Sequence, residues 1–178
     1  MSRAEWTIRS ARKTDQRALE AFECADSTID WQVEVQSFVR RELCAWAFDP
    51  MAAQQDPRLL LLLERRTGYL VGVAAHERVT LKAGRRRIAA TKLELVALAT
   101  SWHGKRFQGG QRASDVLMSA VMTDISQRVP PRDARVFAVV HEDNLRSIAL
   151  LRRHGLTDEL SRATELSSYR RLVTGHRN

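Results

Sequence analysis

The chain holds only two cysteines, Cys24 and Cys44, in 178 residues. Two are too few for a disulfide scaffold or a cysteine-based zinc site, so both read as buried helix residues in a reducing compartment. Glycine (8) and proline (4) are scarce, which excludes collagen-like and linker-dominated architectures. Aromatic residues make up 6% of the chain and none cluster in a basic segment, which argues against a stacking platform for single-stranded nucleic acid. No apolar run approaches the ~18 residues of a membrane span. The longest, residues 59–63, has the length of a strand core. The opening MSRAEWTIRSARK lacks an apolar stretch followed by small residues and does not read as a secretory signal. No internal repeat or low-complexity tract is present. What these absences leave is a cytoplasmic chain, with residues 1–178 expected to form one domain and no membrane among its partners.

What is there is ordinary in proportion but not in sign. Hydrophobic residues are 44% and charged residues 28%, close to the globular average. Lys plus Arg number 29 against 21 Asp plus Glu, a net charge of +8. That excess favours polyanionic partners: nucleic acid, phosphorylated cofactors or acidic lipid head groups. The densest groups are Arg65-Arg66, Arg85-Arg86-Arg87, Lys105-Arg106, Arg152-Arg153 and Arg170-Arg171. Any one of them alone reads equally well as solvated surface.

Periodicity orders the elements. Residues 5–9 alternate with period two and read as a strand. Thr14-Asp15 then caps a short helix with Ala18, Leu19 and Phe22 on one face. Val35, Phe38, Val39, Leu43 and Trp46 form one apolar stripe, the signature of a second helix. Two strand-like runs, 59–65 and 69–77, flank a tight turn at Thr67-Gly68. A third, 86–100, follows the basic turn Lys82-Ala83-Gly84-Arg85, and its apolar second half fits a strand buried on both faces. A loop from 101 to 112 leads into a helix with Leu117, Val121 and Ile125 on one stripe beside Val116 and Ala120, and Pro130-Pro131 ends it. A buried strand at 135–141, a short helix at 146–153 stopped by Gly155, and an alternating tail at 163–173 complete an α/β domain on one central sheet.

The loop before the long helix is the most informative feature. A helix start exposes unpaired N–H groups and partial positive charge, and glycine lets a phosphate approach them. Lys105, Arg106 and Arg112 add charge, while Gly110-Gln111-Arg112 offers no side-chain cap. Two alternatives stay open here: a ligand phosphate as the cap, or Ser114 or water in that place. The loop is neither a Walker loop nor a dinucleotide fingerprint.

At this point the chain resembles the Gcn5-related N-acetyltransferase (GNAT) superfamily. The opening Trp6-Thr7-Ile8-Arg9-Ser10-Ala11-Arg12-Lys13-Thr14-Asp15 resembles that family's first strand and turn. Leu95-Val96-Ala97-Leu98-Ala99 resembles its fourth strand. Gln108-Gly109-Gly110-Gln111-Arg112-Ala113 resembles its pyrophosphate loop, Gln/Arg-x-x-Gly-x-Gly/Ala, with Gln111 at the central glycine. The register beginning at Arg106 recovers that glycine at Gly109 and puts Gln111 last. Residues 141–156, with Asn144, Ser147, Leu150-Leu151 and Gly155-Leu156, resemble the family's Asn-x-x-Ala/Ser-x-x-Leu-Tyr-x-x-x-Gly-Phe segment. The resemblance implies a mixed, mostly antiparallel seven-stranded sheet, splayed between strands four and five and flanked by about four helices. It implies acetyl-CoA as co-substrate and no metal.

By the same resemblance, Leu98 or Ala99 gives a backbone amide to the thioester oxygen, and Glu94 stands where the family often has its base. Arg106, Gln108, Gly109, Gly110, Gln111, Arg112 and Ala113 would hold the diphosphate. Glu94 also fits a structural ion pair with Arg87 or another Arg on a neighbouring strand. His103, His76 and Glu77 are further base candidates. The family's tyrosine acid is missing, since its place is Leu151, which leaves water, Ser147 or Tyr169 for the leaving thiolate. Asn144 either contacts the CoA arm or a main-chain bulge, or caps the next helix. Trp31, Trp46 and Trp102 are candidates to line an acceptor pocket, with core packing the plainer role for the two helical ones. Small basic aminoglycosides would be disfavoured as acceptors unless Asp26, Asp30 and Glu34 converge on the cleft.

The leading expectation is an N-acetyltransferase acting on an amine acceptor. A toxin-like acetyltransferase of aminoacyl-tRNA is a second, motivated by the charge and by Phe22-Glu23-Cys24-Ala25, which is similar to a Phe-x-Cys-Gly segment of such toxins. A non-catalytic module binding CoA or nucleic acid is a third. The acceptor is not named by the sequence, and a homodimer is left open.

Overall fold

A computed structural model of the chain describes residues 5–25, 28–83, 85–128, 135–158 and 169–174. Pro130-Pro131, Asp26, Gly84 and the first part of the alternating tail, 163–168, lie outside them. Seven strands, β1 (Trp6–Ser10), β2 (Arg58–Glu64), β3 (Leu70–Ala83), β4 (Arg86–Leu98), β5 (Val136–His141), β6 (Leu156–Asp158) and β7 (Tyr169–Thr174), form one sheet in the order β1-β2-β3-β4-β5-β7-β6. Every pairing is antiparallel except β4 with β5. Five α-helices are described: α1 (Gln16–Glu20), α2 (Asp30–Arg41), α3 (Leu43–Ala47), α4 (Ala113–Arg128) and α5 (Leu145–Arg153). The parallel step is the crossover through α4, as parallel neighbours require.

The helix count exceeds the expected four because the stripe read as one helix is two. The chain breaks at Glu42 between α2 and α3, yet Val39 and Leu43 are both fully buried, so the stripe runs across the break against the same sheet face. Thr14-Asp15 also caps differently from the expectation. The Asp15 carboxylate accepts the Arg12 amide at 2.7 Å and a bidentate pair from Arg9 at 2.7 and 2.6 Å, and gives no cap to α1. α1 is shorter than expected, leaving Ala18 exposed and Phe22 beyond its end. Cys24 is likewise not helical. Its thiol is pushed up to about 11, chiefly by burial, and stays protonated.

Two cores sandwich the sheet. On one side Leu19, Phe22, Val39 and Leu43 pack on Leu59, Leu61, Val73, Ala75 and Ala99. On the other, Leu117, Val121 and Ile125 of α4, with Ile148 and Leu151 of α5, pack on Leu60, Leu62, Val71, Leu93, Ala138 and Val140. Side-chain alternation along each strand feeds both layers.

Candidate active site

The two strands beside the crossover separate. β4 and β5 pair only at Thr91↔Val136, Lys92↔Phe137 and Leu93↔Ala138, although β4 continues to Leu98 and β5 to His141. The expectation of a strand buried on both faces fails here. Residues 94–98 are half-buried, and Val139 is 42% exposed, because among the described residues neither strand has a neighbour on the opening side. The start of the opening coincides with a bulge. The β3–β4 register passes from Ala75↔Leu95 to His76↔Leu93, so Glu94 is the extra residue. A bulge increases local twist and re-aims its strand.

The ladder decides which amide faces the opening. The Ala99 N–H donates to the Val71 carbonyl at 2.8 Å, so Val71 and Ala99 form a hydrogen-bonded pair. The next pair, Gly72↔Leu98, is then of the alternate kind, with its polar groups turned away from the partner strand. The Leu98 N–H and C=O therefore point into the opening, and His103 Nε2 lies 3.1 Å from that carbonyl. Of the two amides the resemblance offered, Ala99's is already used. Gly72 permits the close approach: a Cβ there would stand 2.7 Å from Leu98 Cδ2, 3.0 Å from the Ala97 oxygen and 3.1 Å from Leu117 Cδ2.

Carboxylates gather on the α3 side of the bulge. Glu94 is paired to Lys92 Nζ at 2.6 Å, a partner on its own strand rather than an arginine on a neighbour. Glu77 is the register partner of Lys92. Burial, then the charge of Glu94, raises the Glu77 carboxyl above its ordinary range, against the opposing effects of Lys92 and a hydrogen bond from Trp46. Of the other base candidates, His76 is buried with its Nε2 3.0 Å from Asp124, a satisfied structural histidine. Burial lowers its pKa despite that carboxylate. His103 is exposed at the rim.

Across the opening, Trp31 of α2 stacks on His141 with centroids 5.5 Å apart, and Tyr169 meets the same ring edge-on at 5.1 Å. Trp31 and Tyr169 are candidates from the sequence, but the ring that joins them, His141, is not legible there, since three distant segments supply the trio. Asn144 Oδ1 accepts the Ser147 amide at 3.1 Å, the capping role. Ser147 is half-buried in the first turn of α5. Leu150 and Leu151 are core residues, so the position at which the resemblance expects a tyrosine is apolar and buried. Asp30 and Glu34 are both exposed.

The glycine loop is closed on itself more than expected. Arg106 and Arg112 form an isolated bridge, Arg106 Nη1 donates to the Gly110 carbonyl at 2.6 Å, and Gly110 (φ +78°) donates to the Phe107 carbonyl at 2.8 Å. The Gln108 amide donates to the Glu5 carboxylate at 3.0 Å. The Gln108 and Gly110 amides are thus occupied, while Gly109 and Gln111 are exposed and Ala113 is buried in the core. The Arg112 carbonyl accepts the Asp115 and Val116 amides at 3.0 Å each, and no side chain among the described residues caps α4. Phe107 anchors the loop between Trp6 and Trp102, at 6.2 and 4.9 Å. Core packing, not an acceptor pocket, is therefore the role of Trp102. Asp115 in the first turn of α4 meets Arg153 at 2.8 Å and His154 at 3.3 Å. Burial pushes its carboxyl up, but these hydrogen bonds prevail and hold it below the usual range. The loop and the first turns of α4 line a groove of about 700 Å³ against Trp6 and Ile8.

No protein-family model and no curated protein sequence matches the chain. Solved structures do. A mutant of the toxin AtaT, bound to the C-terminus of the antitoxin AtaR and acetyl-CoA, is 15% identical over 96% of this chain and 94% of that one, with a TM-score of 0.63. A GNAT-family protein from Desulfovibrio desulfuricans is 15% identical over 94% and 96%, at 0.62. AtaT complexed with acetyl-methionyl-tRNAfMet is 13% identical over 94% and 93%, at 0.63. The fold of this chain is that of the GNAT superfamily, as the sequence resemblance implied.

Proposed function

We propose that the chain moves an acetyl group from acetyl-CoA to an amine by direct attack in a ternary complex. The observation that carries this reading is the splayed opening, with the Leu98 amide unshared on one wall and the Glu77–Lys92–Glu94 group at its apex. Three demands of the chemistry find candidates there. The Leu98 N–H stabilises the oxygen of the attacked carbonyl. Glu94 or Glu77 takes the proton that the amine loses. With Leu151 in the tyrosine position, the thiolate leaves to water or to the Ser147 hydroxyl; Tyr169, edge-on to His141, is the remaining hydroxyl of that wall. Arg106, Arg112 and the Gly109 to Ala113 turn at the start of α4 supply positive potential for the diphosphate of the co-substrate. Asn144 serves α5 as its cap, and no residue is assigned to a metal. The described residues hold no metal-ligating cluster.

Aminoacyl-tRNA as the acceptor is a narrower reading of the same chemistry. It is supported by the +8 charge and by the fold shared with AtaT, which has been captured with acetyl-methionyl-tRNAfMet. Calorimetric titration with acetyl-CoA tests the main reading: a measurable heat is expected, and none at millimolar ligand refutes it. Thiol release across amines, peptides and charged tRNA then identifies the acceptor. Binding without release from any of them favours a non-catalytic CoA-binding module instead.

A further inference from the structure

β3 and β4 outrun their neighbours. β2 pairs with β3 only at residues up to His76, and β5 pairs with β4 only from Thr91 onward. Among the described residues, the register pairs from Val79↔Ala90 to Ala83↔Arg86 therefore have no third strand and run as a two-stranded ribbon roughly 17 Å long at ordinary strand rise. Its two faces differ. Val79, Leu81 and Ile88 are half-buried and Ala90 is buried, whereas Thr80, Lys82, Arg87 and Ala89 are all exposed. Residues 78–91 carry five Lys or Arg and no Asp or Glu.

The cations at the base of the ribbon are engaged. Arg78 donates to the Arg128 carbonyl, and Arg58 and Arg128 face Asp56 and Asp124. Further out, Lys82 and Arg87 are direct register partners on the exposed face, and Arg85 is exposed beside them. None of these three has an acidic partner among the described residues. Like charges directly across a ladder are destabilising, and an anion lying over the pair would relieve that repulsion. We propose that this face of the ribbon binds the phosphate backbone of a nucleic-acid double helix. A two-stranded ribbon fits the major groove of B-DNA in size, an RNA duplex offers phosphates along its grooves, guanidinium and ammonium groups grip phosphates, and the lack of aromatic residues on the ribbon disfavours single strands. The surface lies outside the acetyl-transfer site, so the inference stands or falls independently of that function.

The test uses the full chain with labelled RNA and DNA duplexes of 20 base pairs, both titrated from 0.05 to 0.5 M salt. Releasing ~0.7–0.9 counterions per phosphate contact, the combined variant Lys82→Gln, Arg85→Gln, Arg87→Gln is expected to flatten the log–log salt slope by about 2–3. That corresponds to a loss on the order of 100-fold at 0.1 M salt. The duplex that loses more identifies the nucleic acid concerned. Lys82→Glu, which places a carboxylate opposite Arg87, is expected to weaken binding without lowering Tm, separating binding from folding. Wild-type slopes in the triple variant with both duplexes overturn the proposal. So does a variant that retains duplex binding while losing binding to vesicles containing phosphatidylserine.

Discussion

Gly72→Ala is the perturbation that most directly joins packing to the opening. Gly72 lies opposite Leu98, beneath α4. An added Cβ would meet Leu98 Cδ2 at 2.7 Å, Leu117 Cδ2 at 3.1 Å and the Ala97 carbonyl oxygen at 3.0 Å. The two side-chain ends can rotate; the carbonyl belongs to β4 and moves only with the strand. Overpacking of this kind costs about 1–3 kcal/mol, and replacing glycine within a strand returns roughly 0.5–1 kcal/mol of chain entropy. At the middle of the two ranges the net loss is about 1 kcal/mol. For a chain of this length that lowers Tm by about 2–4 °C. The same displacement shifts the Leu98 amide, so acetyl-CoA-dependent thiol release should fall further than the lost stability explains. Thermal melts and thiol release measured below both melting temperatures read the two effects separately. Adding Leu117→Val removes part of the clash and should recover some of the lost stability as a coupling between neighbours. A Gly72→Ala variant with unchanged Tm and rate would refute the claim that this contact sets the position of β4.

The remaining expectations concern charge. Glu94→Gln should reduce thiol release and leave acetyl-CoA affinity intact. Because the charge of Glu94 helps to raise Glu77, the same change should move the acidic limb of the rate profile to lower pH if Glu77 is the base; an unmoved limb assigns the proton elsewhere. His76 is kept neutral by burial, so its folded pKa lies below the unfolded value near 6.5. The unfolded chain then binds the extra proton, and stability present above about pH 6.5 is lost as pH falls below it. Tm should decline from pH 7 to pH 5, and less steeply in His76→Gln; identical slopes would exclude His76 as the source.

Much of this architecture is legible because its periodicity is strong. The α4 stripe of Leu117, Val121 and Ile125 is wholly buried, and nothing competes with that pattern. The Asn144 cap is local, so three residues suffice to read it. The failures have physical causes. An apolar stripe cannot reveal the break at Glu42, since α2 and α3 turn the same kind of face to the same sheet. Phe107 between two polar neighbours carries no periodic signal, yet it fixes the loop between Trp6 and Trp102. The Lys92–Glu94 pair is legible in principle, because residues two apart on a strand share a face, and that same-strand partner competes with any arginine across the sheet.

The distal half of β4 is the most instructive, because an apolar strand that lines an opening has the same composition as one sealed in a core. What separates the two cases is Glu94. A polar residue amid Leu93, Leu95, Val96 and Ala97 is costly inside a regular buried ladder, and as the extra residue of a bulge it is not inside one. The bulge places Leu93 in the α4 core while Leu95 packs toward α1–α3, a reversal that strict alternation forbids for residues two apart. The same inserted residue stands where the β4–β5 pairing stops. One local irregularity therefore re-aims the distal strand, frees the Leu98 amide and leaves a carboxylate at the apex, so the interruption of the apolar run is itself the sequence mark of the candidate site.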